Sequence, residues 1–225
     1  MKNVILLGKG AIGIKVANWL NNHPDFDLKM IVPAVPEPTW TDSIIGWAEA
    51  NGIPHVPSGK FGDIPNVRDE DWQIDLAISI FYDRIIRGWF IDKCGQIVNL
   101  HNSPLPKYRG VSPINWALKH GESFHGATIH EITPGVDDGP IIGQVKYSIY
   151  PDSDEVQDVY QRALGFGFEL VKAIIPRLGV IKPVLQDESE ATFYHSRDNH
   201  LLDERRSFTR EHSLQLMAEA AAQQD

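Results

Sequence analysis

Gln96-Ile97-Val98-Asn99-Leu100-His101-Asn102-Ser103-Pro104-Leu105-Pro106-Lys107-Tyr108-Arg109-Gly110 runs from an apolar strand into a proline-bounded loop. Side chains two apart on an extended strand share a face, so Asn99 and His101 point one way while Val98 and Leu100 point the other. An amide beside an imidazole suits acyl transfer. The Asn99 N–H can hold an oxyanion, and His101 can move a proton near neutral pH. A third group lies in Thr133-Pro134-Gly135-Val136-Asp137-Asp138-Gly139-Pro140, directly after an apolar strand from Ala127 to Ile132. Glycines there permit an abrupt turn, and Asp137 is the candidate carboxylate at the strand's C-terminal end.

Working outward, Asn3 to Leu7 is a short apolar run suited to a buried parallel strand, and Gly8-Lys9-Gly10-Ala11-Ile12-Gly13 opens a helix through Ile14, Val16, Ala17 and Leu20. This G-x-G-x-x-G would need an acidic residue at the end of the second strand to hold a dinucleotide's ribose. That strand, about Leu28 to Val35, runs into Pro36 ahead of Glu37, a poor fit. The favoured reading is that the glycines allow a tight turn and close helix packing; an NAD-dependent oxidoreductase is the lesser alternative.

Thr41-Asp42-Ser43 is expected to cap a helix through Ile44, Ile45, Trp47 and Ala48. Asp75 to Ile80 and Ile141 to Ile149 read as strands. Ser112-Pro113 starts a helix through Ile114, Trp116 and Leu118, and a longer amphipathic helix carries Val156, Val159, Leu164 and Val171. The pattern predicts an α/β, Rossmann-like, mostly parallel sheet with helices on both faces. From Gln186 the chain turns polar. Ala191 to Ser196 and Leu201 to Asp203 predict a small β-hairpin, and Glu211 to Ala222 a final helix. The expected division is a catalytic domain over 1–185 and a hairpin-and-helix extension over 186–225.

A formal charge of −9 argues against a nucleic-acid partner, which would need clustered Lys and Arg against phosphates. The single cysteine, Cys94, precludes an internal disulfide and fits a reducing compartment. The apolar run at the N-terminus is too short for a signal peptide or a membrane span, so a cytoplasmic protein without membrane association is expected. None of the nine histidines forms a ligand-spaced pattern with Cys, Asp or Glu, and no metal is expected.

Asn99, His101 and Asp137, set in Asn-Leu-His-Asn-Ser-Pro-Leu-Pro and Val-Asp-Asp-Gly, resemble the N-formyltransferases that use 10-formyltetrahydrofolate, and their 38-residue interval is similar to the family's. The resemblance is strong over residues 75 to 150 and weaker in the N-terminal third. It implies 10-formyltetrahydrofolate as co-substrate, with the pterin held at Tyr82, Arg84, Ile85 and Ile86 and beside Gly135 and Val136. It also implies Asn99 on the formyl oxygen, Asp137 orienting His101 and passing protons to N10, and His101 acting either as base or as donor to the oxyanion.

Several flanking residues carry two readings. Lys9 is a phosphate contact or a solvated loop lysine, and Arg109 an anion ligand or a fastener of its own loop. Tyr194 is a stacking platform for a nucleotide base or ordinary hairpin packing. Ser103, in the quoted loop, counts with them as a substrate contact.

The tRNA-modifying relatives carry a further C-terminal barrel, for which about forty residues leave no room, and the phosphoribosylglycinamide formyltransferases show a Gly-x-Gly-Ser-Asn first loop where this chain has Gly8-Lys9-Gly10-Ala11-Ile12. By elimination the resemblance is greatest to the short sugar N-formyltransferases. These act on the primary amine of a nucleotide-linked amino sugar, here a dTDP-linked 4-amino- or 3-amino-dideoxyhexose, for surface polysaccharide such as O-antigen. The phosphoribosylglycinamide enzyme of purine synthesis is the runner-up. The terminal hairpin is the expected dimerisation element.

Overall fold

The computed structural model describes residues 1–204. Four parallel strands, β1 (Lys2–Gly8), β2 (Phe26–Pro33), β3 (Ile74–Ile80) and β4 (Cys94–His101), form one sheet with the antiparallel β6 (Phe124–Glu131) and β7 (Ile141–Ser148), in the order β2-β1-β3-β4-β6-β7. A second pair joins β5 (Arg109–Gly110) to β8 (Phe193–Tyr194). β1 and β3 are almost continuously buried, as strands covered on both faces must be.

Leu6, Ile78, Val98 and Leu100 turn to one face, against Ile12, Val16 and Leu20 of helix α1 (Gly10–Asn21), Ile44 and Ala48 of α2 (Ile44–Ala50), and Leu164 and Val171 of α5 (Val156–Ile174). Ile5, Leu7, Ala77 and Ile97 turn to the other, against Phe61 and against Phe90 of α3 (Gly88–Ile91). A third cluster gathers Ile114, Trp116 and Leu118 of α4 (Pro113–Lys119) around Tyr108, Tyr147 and Val159. Burial of such side chains contributes about 1.5–3 kcal/mol each.

The first glycine loop serves packing. A Cβ on Gly8 would sit 2.3 Å from the Ile80 carbonyl oxygen, so only glycine lets β1 end this close to β3. Thr41 Oγ1 accepts from the Ala11 N–H at 3.1 Å and so satisfies a free donor at the start of α1. Glu37 accepts from the Ser43 hydroxyl and from the N–H of Ile44 at 2.8 Å, which caps α2 instead of facing a ribose. The chain after β1 leaves to one side of the sheet and returns on the other, opening a crevice at the C-terminal ends of β1, β3 and β4.

The expected hairpin is absent. Phe193–Tyr194 pairs in parallel with Arg109–Gly110, and residues Ser196–Glu204, including Leu201, form a 3-10 helix. An isolated two-stranded ribbon is marginal in water. Here β8 instead gains Arg109 N–H to Thr192 O at 2.9 Å and Val111 N–H to Tyr194 O at 3.0 Å. The Tyr194 ring stacks on Trp116 at 4.4 Å and on Tyr108 at 5.8 Å. Ser112 precedes α4 in a left-handed conformation (φ 55°) and makes no side-chain cap. The helix expected over 211–222 lies outside the described residues. Among the described residues, no helix is long and apolar enough to cross a membrane.

Candidate active site

β4 delivers Asn99 and His101 to the same side at its C-terminal end, and the loop after β6 brings Asp137 against them. His101 Nδ1 lies 3.5 Å from Asp137 Oδ2, and Asn99 Nδ2 lies 3.4 Å from Asp137 Oδ1. The other His101 nitrogen, Nε2, is 2.8 Å from the Tyr108 carbonyl oxygen. A carbonyl only accepts, so Nε2 carries a hydrogen and Nδ1 is the nitrogen left to exchange a proton.

Asp137 is encircled. Its Oδ2 also accepts from the Gly110 N–H at 3.0 Å, and its Oδ1 lies 3.4 Å from His130 Nε2. Burial pushes the carboxyl up, but the His101 and His130 imidazoles and the Gly110 N–H outweigh it and hold Asp137 well below the usual carboxylate range. The backbone there differs from expectation. Neither Gly135 nor Gly139 has a positive φ; Asp137 itself takes the left-handed conformation, at φ 52°. Aspartate tolerates that region better than most residues because its short side chain bonds locally. A Cβ on Gly139 would meet the Glu131 carbonyl oxygen at 1.9 Å, so that glycine is there for close approach.

His130 was not anticipated from the sequence. It lies opposite Asn99 in the β4–β6 pair, with Nε2 3.1 Å from Asn99 Nδ2, while its Nδ1 donates to the Glu131 carbonyl at 2.8 Å. The available signal was the alternation Thr128-Ile129-His130, which puts two polar side chains on one buried face.

These groups line a cleft of about 790 Å³. Tyr82, Arg84, Ile85, Ile86, Gly135 and Val136 all line it. Tyr82 OH donates to the Gly59 carbonyl at 2.6 Å, and burial, against the pull of Arg84, pushes its phenol up to about 12. Arg84 Nε is a buried donor without a partner, next in sequence to Ile85 and Ile86, and a ring with hydrogen-bonding edges needs such a donor beside apolar side chains. Lys9, Trp40, Phe81 and Tyr160 line the same cleft. Lys9 pairs with Asp83 at 3.2 Å, and the Trp40 ring meets Tyr160 edge-on at 5.7 Å. Tyr194 lines the cleft while its ring is engaged by Trp116.

Two expected substrate contacts are not in the cleft. Arg109 is buried and its guanidinium is spent on Gln186 and Glu188 at 2.7 to 3.0 Å, so it fastens its own loop and offers nothing to an anion. Ser103 is fully buried and donates to the Lys107 carbonyl at 2.7 Å, which closes the proline loop. Among the described residues no cluster of His, Cys, Asp and Glu has the arrangement of a metal site.

Residues 67–175 match the family described as formyl transferase. The chain is 32% identical over 147 residues to a methionyl-tRNA formyltransferase of Fervidobacterium nodosum, covering 65% of this chain and 46% of that protein. It spans about half the length of the curated relatives it matches. Among solved structures it resembles an N-formyltransferase from Helicobacter canadensis in complex with folinic acid and dTDP-3-aminofucose, with TM-score 0.73 and 26% identity, covering 88% of this chain and 72% of that one. It also resembles WlaRD, a sugar 3N-formyl transferase solved in the presence of dTDP and 5-N-formyl-THF, with TM-score 0.74 and 25% identity, covering 88% and 70%.

Proposed function

We propose that this protein, whose residues 67–175 match the formyl transferase family, transfers a formyl group from 10-formyltetrahydrofolate to the primary amine of a nucleotide-linked amino sugar. The observation that carries the reading is the convergence of Asn99, His101 and Asp137 in the cleft. In this reading the residues around the unpaired Arg84 donor take the pterin, and the aromatic group Trp40, Phe81 and Tyr160 takes the acceptor. Similarity to two N-formyltransferases, each seen with a folate and a thymidine nucleotide, supports a folate and a nucleotide sugar as the two substrates.

In the proposed reaction the amine nitrogen bonds to the formyl carbon, negative charge gathers on the formyl oxygen, and the bond from carbon to N10 breaks. The proton lost by the amine ends on N10. Asn99 Nδ2 is placed to hold the oxygen; its 3.4 Å contact to Asp137 is the longer of its two bonds and the one an incoming oxyanion would replace. His101 exchanges its proton at Nδ1, because Nε2 is committed to the Tyr108 carbonyl. Asp137, held low, acts as a fixed negative charge that orients His101 more than as a store of protons.

The proposed working unit is residues 1–185 closed by the stretch from Gln186, set in the cytoplasm, with a product destined for surface polysaccharide. The chain's net charge of −9 supports a small acceptor over tRNA. Incubation with 10-formyltetrahydrofolate and, separately, dTDP-linked amino sugars, glycinamide ribonucleotide and charged initiator tRNA, read by mass spectrometry, tests the assignment. A formylated sugar nucleotide is expected. Formylation of tRNA or glycinamide ribonucleotide alone would overturn the acceptor, and no transfer to any amine would overturn the activity.

A further inference from the structure

We propose that Gln186 is a positioning residue whose side-chain amide sets the separation of Asp137 and His101. Gln186 is buried, and its amide uses its full hydrogen-bonding capacity. Nε2 donates to the Asp137 carbonyl at 2.8 Å and to the Gly139 carbonyl at 2.7 Å, while Oε1 accepts from Arg109 Nε at 3.0 Å and Arg109 Nη2 at 2.8 Å. Carbonyls on one side and a guanidinium on the other determine which end of the amide faces which loop.

The two loops joined in this way are the two that define the site. Arg109 lies between Tyr108, whose carbonyl fixes His101 Nε2, and Gly110, whose N–H donates to Asp137 Oδ2. The other loop is the left-handed turn at Asp137, and a non-glycine residue keeps such a backbone only where its surroundings fix it. Gln186 holds that turn by two carbonyls, at Asp137 itself and at Gly139. No other side chain of similar size repeats this pattern, since glutamate lacks the donors and methionine lacks both donors and acceptor. The role rests on the reading of Asp137 and His101 as working groups.

Without the amide, the Asp137 and Gly139 carbonyls lose their donor, and the turn is free to move Asp137 away from the Gly110 N–H and the two imidazoles. Those contacts are what overcome the effect of burial on the carboxyl. Displacement therefore raises the pH at which Asp137 takes up a proton, an effect that simple loss of folded protein would not produce.

The test uses Gln186→Met and Gln186→Glu in the full chain. The Asp137 carboxyl is followed by carbon NMR titration, assigned with Asp137→Asn, alongside steady-state formyl transfer per folded protein. Wild-type Asp137 is expected to stay ionised below the usual carboxylate range, and both variants to titrate at least one pH unit higher. Turnover should fall about 10- to 100-fold, with KM for 10-formyltetrahydrofolate nearly unchanged. An unmoved Asp137 titration with normal turnover in either folded variant overturns the proposal. If neither variant folds, the wild-type side-chain N–H hydrogens decide. Exchange as slow as core backbone amides upholds the brace, and exchange at the free rate rejects it. A wild type without formyl transfer would sink the functional reading, while the carboxyl titration would still decide the role of Gln186.

Discussion

Asn99 and His130 face each other across the antiparallel β4–β6 pair with amide nitrogen and imidazole Nε2 3.1 Å apart. The pairing aims the Asn99 amide and links it to Asp137 through a shared neighbour. A polar group held this way is pre-organised for charge that develops only during reaction.

Asn99→Ala should therefore lower kcat by about 10²–10³ while leaving the fold intact, the cost seen when one oxyanion donor is removed. Steady-state kinetics and a thermal melt on the same preparation check this. Near-normal turnover would show that Asn99 does not hold the oxygen.

Asp137→Asn should remove a pH-dependent contribution to stability. The folded carboxyl lies below its unfolded value, so between the two the unfolded chain binds more protons. The stability is fully present above about pH 3.9 and is lost as pH falls through the folded value. Urea melts of wild type and variant should show a gap at pH 5 that narrows below pH 4. A gap that widens on acidification contradicts the electrostatic account.

His125 gives a separate acid sensitivity with its own window. Burial pushes its imidazole down to about 4, against the Asn102 carbonyl that accepts from Nε2 at 2.9 Å. Between about 4 and an unfolded value near 6.5 only the unfolded chain is protonated, so stability declines as pH falls through that interval, by roughly 3 kcal/mol in all. His125→Gln keeps a donor for Asn102 and cannot titrate. Its stability should change far less than wild type between pH 7 and pH 4, as measured by denaturant titration; parallel curves would refute the assignment.

Trp40 lines the cleft, is 67% exposed and meets Tyr160 only edge-on, which leaves much of its indole open to a ligand. Trp40→Ala should raise KM for the nucleotide sugar about 10-fold or more, a typical loss for one stacked base, and leave KM for 10-formyltetrahydrofolate unchanged. An effect on the folate alone would overturn the assignment of Trp40 to the acceptor.

Much of this site was legible before any fold was known. Asn99 and His101 share a face because a strand alternates, and the glycine-flanked Asp137 follows its own apolar strand. His130 was missed because nothing local says that β6 will lie beside β4 in the register that sets it against Asn99. Arg109 and Ser103 were misplaced for a related reason. A polar residue in an active-site loop reads the same whether its partner is a ligand or a distant part of its own chain.

The alternation of strands, the 3.6-residue stripe of α5 and the two chemical motifs were thus determined by the sequence itself, since each is a property of a few neighbouring residues. Only the tertiary structure decided that Gln186 would bridge Arg109 to the Asp137 turn, that Tyr194 would leave a hairpin for a slot beside Trp116, and that Thr41 would satisfy α1. Those pairings span 30 to 78 residues and arise because buried donors, acceptors and rings must each find a partner somewhere in the folded molecule, a requirement that no local pattern expresses.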